Sequence, residues 1–116
     1  MIISVNGHDL ELQLADNSSA HAFADLVGNS GLELAMEDYG GFEKVGPLPQ
    51  RLPTNDEQIT TRPGDVILYQ GDKLAIYYDT NAWTFTRIGR IIDLDADRMR
   101  KVLGEGDVTV TITASE

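Results

Sequence analysis

The sequence predicts a mainly β protein, a small barrel or strongly curled sheet of about seven strands capped by two short helices. Three observations carry the prediction. The stretch 64–92, GDVILYQGDKLAIYYDTNAWTFTRIGRII, packs three strand-like runs and a tight turn into one meander. Both ends of the chain alternate apolar and polar residues with the period of two that a half-buried strand shows, in HDLELQL and in DVTVTIT. Only two stretches carry helical spacing, and no strand–helix–strand repeat runs through the chain, which argues against a parallel sheet. With 116 residues, 41% of them hydrophobic, the chain suits one domain over 1–116 that buries roughly two-thirds of the surface its unfolded form exposes.

Taken in order, Ile2–Val5 and His8–Leu14 flank Asn6-Gly7, the dipeptide best suited to the positive φ angles of a type I′ hairpin turn. Leu10, Leu12 and Leu14 then share one strand face, and Asp9, Glu11 and Gln13 the other. Residues 16–19 offer several N-caps for a helix in which Ala20, Phe23, Ala24 and Val27 recur at helical spacing before Gly28-Asn29 stops it; His21 and Asp25 fall on its polar side. Leu32, Leu34 and Met36 alternate with Glu33, Ala35 and Glu37 as a further strand ending at Gly40-Gly41. From 40 to 63 the period is lost and all four prolines occur, so this segment is expected as a long surface excursion with one short extended piece at 45–48. Pro63-Gly64 opens the meander: 66–70 and 73–79 form a hairpin around Gly71-Asp72, and 84–92 returns. Asp95 caps the second helix, Leu94 staples onto Met99, Arg98, Arg100 and Lys101 sit towards its negative C-terminal end, and Gly104 stops it. Residues 107–113 close the domain as a last strand.

Composition removes whole classes of function. There is no cysteine, hence no disulfide, thiolate metal site or cysteine nucleophile. A net charge of −10 repels phosphate backbones and anionic membrane surfaces, so neither nucleic acid nor membrane is an expected partner. No run approaches the roughly 18 apolar residues of a membrane span, and the N-terminus lacks the basic and apolar regions of a signal peptide. The expected compartment is the cytoplasm.

Reaction motifs fare no better. Asp93-Leu94-Asp95-Ala96-Asp97 begins like a calcium loop, but Arg98 stands where the turn needs Gly and Gly104 where a bidentate Glu is needed; helix capping explains the aspartates. Gly41 and Gly46 have the outer spacing of a phosphate loop, yet Pro47-Leu48 replaces the Lys-Ser/Thr pair. His8 and His21, the two imidazoles, lie outside any zinc or Ser-His context. Glu33, Glu37 and Asp38 read as solvent-facing strand residues before they read as an acid–base pair. No metal and no cofactor is expected.

The order of elements and several local matches resemble the cyclophilin fold in a shortened form. Ala75-Ile76-Tyr77-Tyr78 is similar to the Gln-Phe-Phe-Ile strand of cyclophilins, Trp83 follows in the loop where that family often carries a pocket Trp, and Ile88-Gly89-Arg90-Ile91 is similar to its Phe-Gly-Lys-Val. More specifically, Leu52-Pro53-Thr54, Gly64-Asp65-Val66 and Phe85-Thr86-Arg87-Ile88-Gly89 resemble the pattern of the small prokaryotic cyclophilin-like domains, over essentially the whole length. The resemblance implies a closed or nearly closed cyclophilin-like barrel of about seven or eight strands, in a family known by its fold and not by an established activity. It also shows a departure. Prolyl isomerases place an Arg in a Phe-His-Arg strand, whereas this chain has Leu34-Ala35-Met36-Glu37 there, and a carboxylate has the wrong charge for that donor role. The Gln-Gly-Gly-Asp and Met-Ala-Asn signatures are also missing.

The expected function is therefore a peptide- or small-ligand-binding domain without the usual isomerase residues. Two alternatives are a divergent peptidyl-prolyl isomerase, with Arg51 or Arg87 standing in for the missing cation, and an interaction module that pairs through a sheet edge. Candidate ligand-binding residues are Met36 and Glu37, at the departed isomerase position, with Arg51, Tyr77, Tyr78, Trp83, Phe85 and Arg87. Trp83, Phe85 and Arg87 share one strand face if no bulge intervenes, beside Tyr77 or Tyr78 of the neighbouring strand, and aromatics beside a cation make a ligand cleft. The plainer reading makes Phe85 and one tyrosine barrel core and pairs Arg87 with a carboxylate. The oligomeric state stays open between a monomer and a weak dimer.

Overall fold

The computed structural model describes residues 1–92 and 94–114. Asp93, the first aspartate of the rejected calcium loop, lies outside the described residues. Nine strands and two helices follow one another as β1 (Ile2–Val5), β2 (His8–Leu14), α1 (Ser18–Val27), β3 (Leu32–Tyr39), β4 (Glu43–Pro47), β5 (Glu57–Thr60), β6 (Asp65–Tyr69), β7 (Lys73–Tyr77), β8 (Ala82–Ile91), α2 (Ala96–Leu103) and β9 (Val108–Thr113). Eight strands pair antiparallel in the order β2-β1-β9-β3-β4-β7-β6-β8, and β8 pairs back onto β2, so the sheet closes into a barrel. β5 adds to β8 outside the ring, pairing Glu57 with Phe85 and Ile59 with Trp83. Closure removes the edges of the eight-strand ring, leaving β5 paired on one side only, and the expected barrel is what forms.

The barrel interior is filled by the inward faces of these strands. Ile3, Val5, Leu10, Leu12, Leu34, Met36, Val66, Leu68, Leu74, Ile76, Ile88, Val110 and Ile112 form one buried cluster, into which α1 sends Phe23 and Val27 and α2 sends Met99, Val102 and Leu103. Asn17 caps α1, accepting from the Ala20 N–H at 2.7 Å while donating to the Arg87 carbonyl at 2.9 Å. Asp95 caps α2 by accepting from the Arg98 N–H at 2.9 Å, and the Asn6 amide, in the β1–β2 turn, donates to the last carbonyls of α2. That turn has positive φ at both Asn6 and Gly7, as a type I′ turn requires. The β6–β7 turn carries positive φ at Gln70 and Gly71, so its centre lies one residue before the expected Gly71-Asp72. His21 pairs with Asp16 at 3.0 Å on the helix's exposed side.

The segment 40–63 is the main correction to the sequence reading. It holds two strands, and β4 is a stave of the barrel between β3 and β7. No period of two announces it because Glu43 and Lys44, adjacent residues on opposite faces, are both buried. Gly46 is needed at its far end, since a Cβ there would come within 2.5 Å of the Ala35 carbonyl. The longest irregular piece, 48–56, is tied down: Leu48 and Leu52 enter the core, Asn55 bonds Ser18, Ser19 and Thr86, and Thr86 donates to Asp56.

Candidate functional site

One buried cluster lies outside the barrel interior. Ile59, Ile67, Ala75, Tyr77 and Phe85 pack together on the outer face of β4, β7, β6 and β8, with β5 curling over the end of β8. The register explains the grouping: Glu37 pairs with Val45, Val45 with Ala75, Ala75 with Ile67 and Ile67 with Arg87, so these five side chains form one row across the outside of five strands. The next row brings Tyr39, Glu43 and Tyr77 side by side. Above them opens a pocket of about 530 Å³ lined by Tyr39, Phe42, Glu43, Val45, Tyr69, Lys73, Tyr77, Asn81, Trp83 and Phe85. Concave, largely apolar space of this size is what small ligands occupy.

The rings are arranged in contact. Phe42 stacks on Tyr77 with centroids 6.0 Å apart and planes 12° from parallel, Phe85 tilts against Tyr77 at 5.7 Å, and Tyr69 meets Phe85 edge-on at 5.9 Å. Tyr39 stands perpendicular to Phe42 at 6.0 Å. Among the described residues Tyr39 and Trp83 are the exposed large hydrophobic side chains, at 63% and 60%, and both rim the same pocket.

Two polar groups give the pocket chemistry. Glu43 is only 8% exposed; burial pushes its carboxyl up to about 7, against a hydrogen bond from Tyr77 that favours the charged form and with a smaller push in the same direction from the charge of Asp38. Burial likewise raises the Tyr77 phenol well above its usual value, and its hydroxyl bonds both Asn81 and Glu43. At the other end Lys73 is held by Asp72 at 3.0 Å and Gln70 at 3.4 Å. A metal site is not supplied: no group of three or more His, Asp or Glu suited to a cation occurs among the described residues.

The sequence-derived candidates separate. Tyr77, Trp83 and Phe85 line the pocket. Arg87 shares their outer face but a bulge between Val66 and Ile67 shifts the register beside it, and its guanidinium binds the fully buried Asp65 at 2.8 Å. Arg90 binds the same oxygen at 2.8 Å, and the second Asp65 oxygen accepts from the Arg62 N–H at 2.9 Å. Tyr78 points to the opposite face from Tyr77. Its hydroxyl donates to Asp38, Arg100 lies 4.9 Å above its ring, and the fully buried Lys44 reaches Asp38 at 3.2 Å and the Gly106 carbonyl at 2.6 Å, so this group plugs a barrel end beside α2. Burial raises Tyr78 to about 12, and its hydrogen bond holds Asp38 below the usual carboxylate range. Met36 is core; with the exposed Glu37 it lines a second groove that meets the first only at Val45. Arg51 is exposed and bonds the Gln70 carbonyl at 2.9 Å. Sequence reasoning missed Tyr39, Phe42, Glu43, Val45, Tyr69, Lys73 and Asn81; the signal that could have found the first three is Tyr39-Gly40-Gly41-Phe42, a Gly-Gly turn flanked by rings, with positive φ at both glycines.

A model described as the cyclophilin-like family matches residues 3–113. No curated protein sequence matches the chain. Among solved structures, that of McbB in complex with tryptophan superposes with a TM-score of 0.66 at 14% identity. The match covers 99% of this chain and 45% of that one. At that identity the likeness is one of fold. No helix among the described residues is long and apolar enough to cross a membrane.

Proposed function

The chain belongs to the cyclophilin-like family, and we propose that its role is binding, with the outer-face pocket taking an aromatic small ligand or an aromatic side chain of a peptide. The observation that carries this reading is the placement of Trp83 and Tyr39. Both are more than half exposed at the rim of a pocket whose walls are already rings. Packing does not account for large apolar side chains left in water at one rim, whereas a ring-shaped ligand would cover both and gain about 0.5–1.5 kcal/mol for each well-placed aromatic contact beyond the area buried. That McbB was solved with tryptophan supports an aromatic ligand as the first to try.

Binding is favoured over prolyl isomerisation by charge. An isomerase of this fold needs a cation over the reacting amide. Arg87 is engaged with Asp65, Arg51 lies away from the pocket, and the lining cation, Lys73, is engaged with Asp72 and Gln70. Trp83, the single tryptophan, reports on its own pocket. Titrating the protein with 3-methylindole and with an Ala-Pro peptide, followed by Trp83 fluorescence and by amide shifts, should give a saturable change for the indole centred on β7 and β8. Absence of any saturable change up to millimolar indole would reject the reading, and faster exchange of the Ala-Pro bond in the same samples would replace it with the isomerase alternative.

A further inference from the structure

We propose that the ligand of this pocket is an organic cation, an ammonium group on an aromatic or aliphatic body, seated with its charge against the Glu43 carboxylate and its body between the rings. The inference rests on the binding reading above and names its ligand class.

Glu43 is the reason. A carboxyl 8% exposed in a wall of rings is costly to keep, and among the described residues none of the ion pairs involves it. The neighbouring Lys44 points to the opposite face, where Asp38 and the Gly106 carbonyl hold it. Lys73 lies four residues from Tyr77 along β7, on the same face, which puts their backbones about 13 Å apart, and its ammonium is occupied by Asp72 and Gln70. The groups facing Glu43 are thus Tyr77 from β7 and Tyr39 from β3, while Asp38, on the opposite face with Lys44, reaches it only through its charge; Tyr69 and Lys73 sit at the far end of the pocket. None supplies the missing positive charge. A cation entering here meets a carboxyl group among the rings of Tyr77, Phe42 and Tyr39, and the electron-rich faces of aromatic rings attract ammonium groups. The chain's net charge of −10 favours the approach of such a ligand.

The geometry also selects among amines. An α-amino acid carries a carboxylate beside its ammonium, and that group would be pressed towards Glu43 with its nearest lining cation, Lys73, at the other end of the pocket. Amines lacking the α-carboxylate are therefore preferred. The Glu43 carboxyl keeps its proton up to about pH 7, so an ammonium must displace that proton when it binds below this pH. Affinity then rises with pH through neutrality.

Calorimetric titration of the wild-type protein and of Glu43→Gln with tryptamine, tryptophan and 3-methylindole at pH 6, 7 and 8 tests this. In the wild type tryptamine should bind at least about tenfold more tightly than the other two at pH 8 and weaken about tenfold between pH 8 and pH 6 with proton release, while 3-methylindole should not respond to pH. Glu43→Gln should lose both the preference for tryptamine and its pH response. Equal affinity for tryptamine and 3-methylindole, or a flat pH profile, overturns the cation proposal in the wild type alone and leaves the aromatic pocket standing. Binding of none of the three overturns both.

Discussion

Replacing Glu43 by Gln should stabilise the protein, and by an amount set by pH. The side chain is buried on β4, its carboxyl raised from 4.5 to about 7. Between those two values the folded protein holds a proton that the unfolded chain has lost. Stability therefore falls as pH rises through this window, and the cost is complete above about pH 7. At about 1.4 kcal/mol per pH unit the full cost is about 3 kcal/mol. Gln has nearly the same shape and keeps an oxygen for the Tyr77 hydroxyl, so the substitution removes the charge and little else. Ionisable groups that do not interact with Glu43 are shared by both proteins, and their contributions cancel in the comparison. Urea denaturation of both proteins at pH 4, 6 and 8 measures the difference. It should be near zero at pH 4 and reach about 3 kcal/mol in favour of Glu43→Gln at pH 8. With a slope of about 1–2 kcal/mol per molar urea for a chain this size, the midpoint moves by about 2 M. A difference that stays constant from pH 4 to pH 8 would show that Glu43 titrates like an exposed carboxylate, and the account of the pocket floor would fail with it.

Two further substitutions probe the frame that holds the pocket. Asp65→Asn leaves Arg87 and Arg90 without the fully buried carboxylate that both bind and should cost about 3 kcal/mol, read as a lower urea midpoint; loss of less than about 0.5 kcal/mol would mean that the two guanidiniums are satisfied by water. Gly46→Ala sets a Cβ within 2.5 Å of the Ala35 carbonyl and 3.1 Å of the Met36 side chain, forcing β3 and β4 apart. It should cost about 1–3 kcal/mol, with amide shifts concentrated at the β3–β4 seam.

Most elements were legible in the sequence because they are local. The Asn6-Gly7 turn, the alternation of β2, β3 and β9, and the Asp95 and Gly104 boundaries of α2 each follow from residues a few positions apart, whose φ preferences, hydrogen bonds and side-chain direction need no distant partner. β4 was legible only as a short extended piece at 45–48, and its start at Glu43 and its place in the barrel escaped because its pattern is not local. Glu43 faces the outer pocket and Lys44 the barrel end, each sheltered by a different set of strands, so two charged residues in succession are buried and the expected alternation vanishes.

The site divides in the same way. From sequence alone came a mainly β, barrel-like chain, the absence of an isomerase cation on the strand holding Met36 and Glu37, and an aromatic group drawn from Tyr77, Trp83 and Phe85. Tertiary structure alone decided which tyrosine faces outward, that Arg87 serves Asp65 and not the pocket, and that Glu43 stands among the rings. The reason is register. A residue's face within its own strand follows from its position, but its neighbours across the sheet follow from which strands pair and where a bulge shifts them, and in a closed barrel those partners come from stretches of chain far apart in sequence.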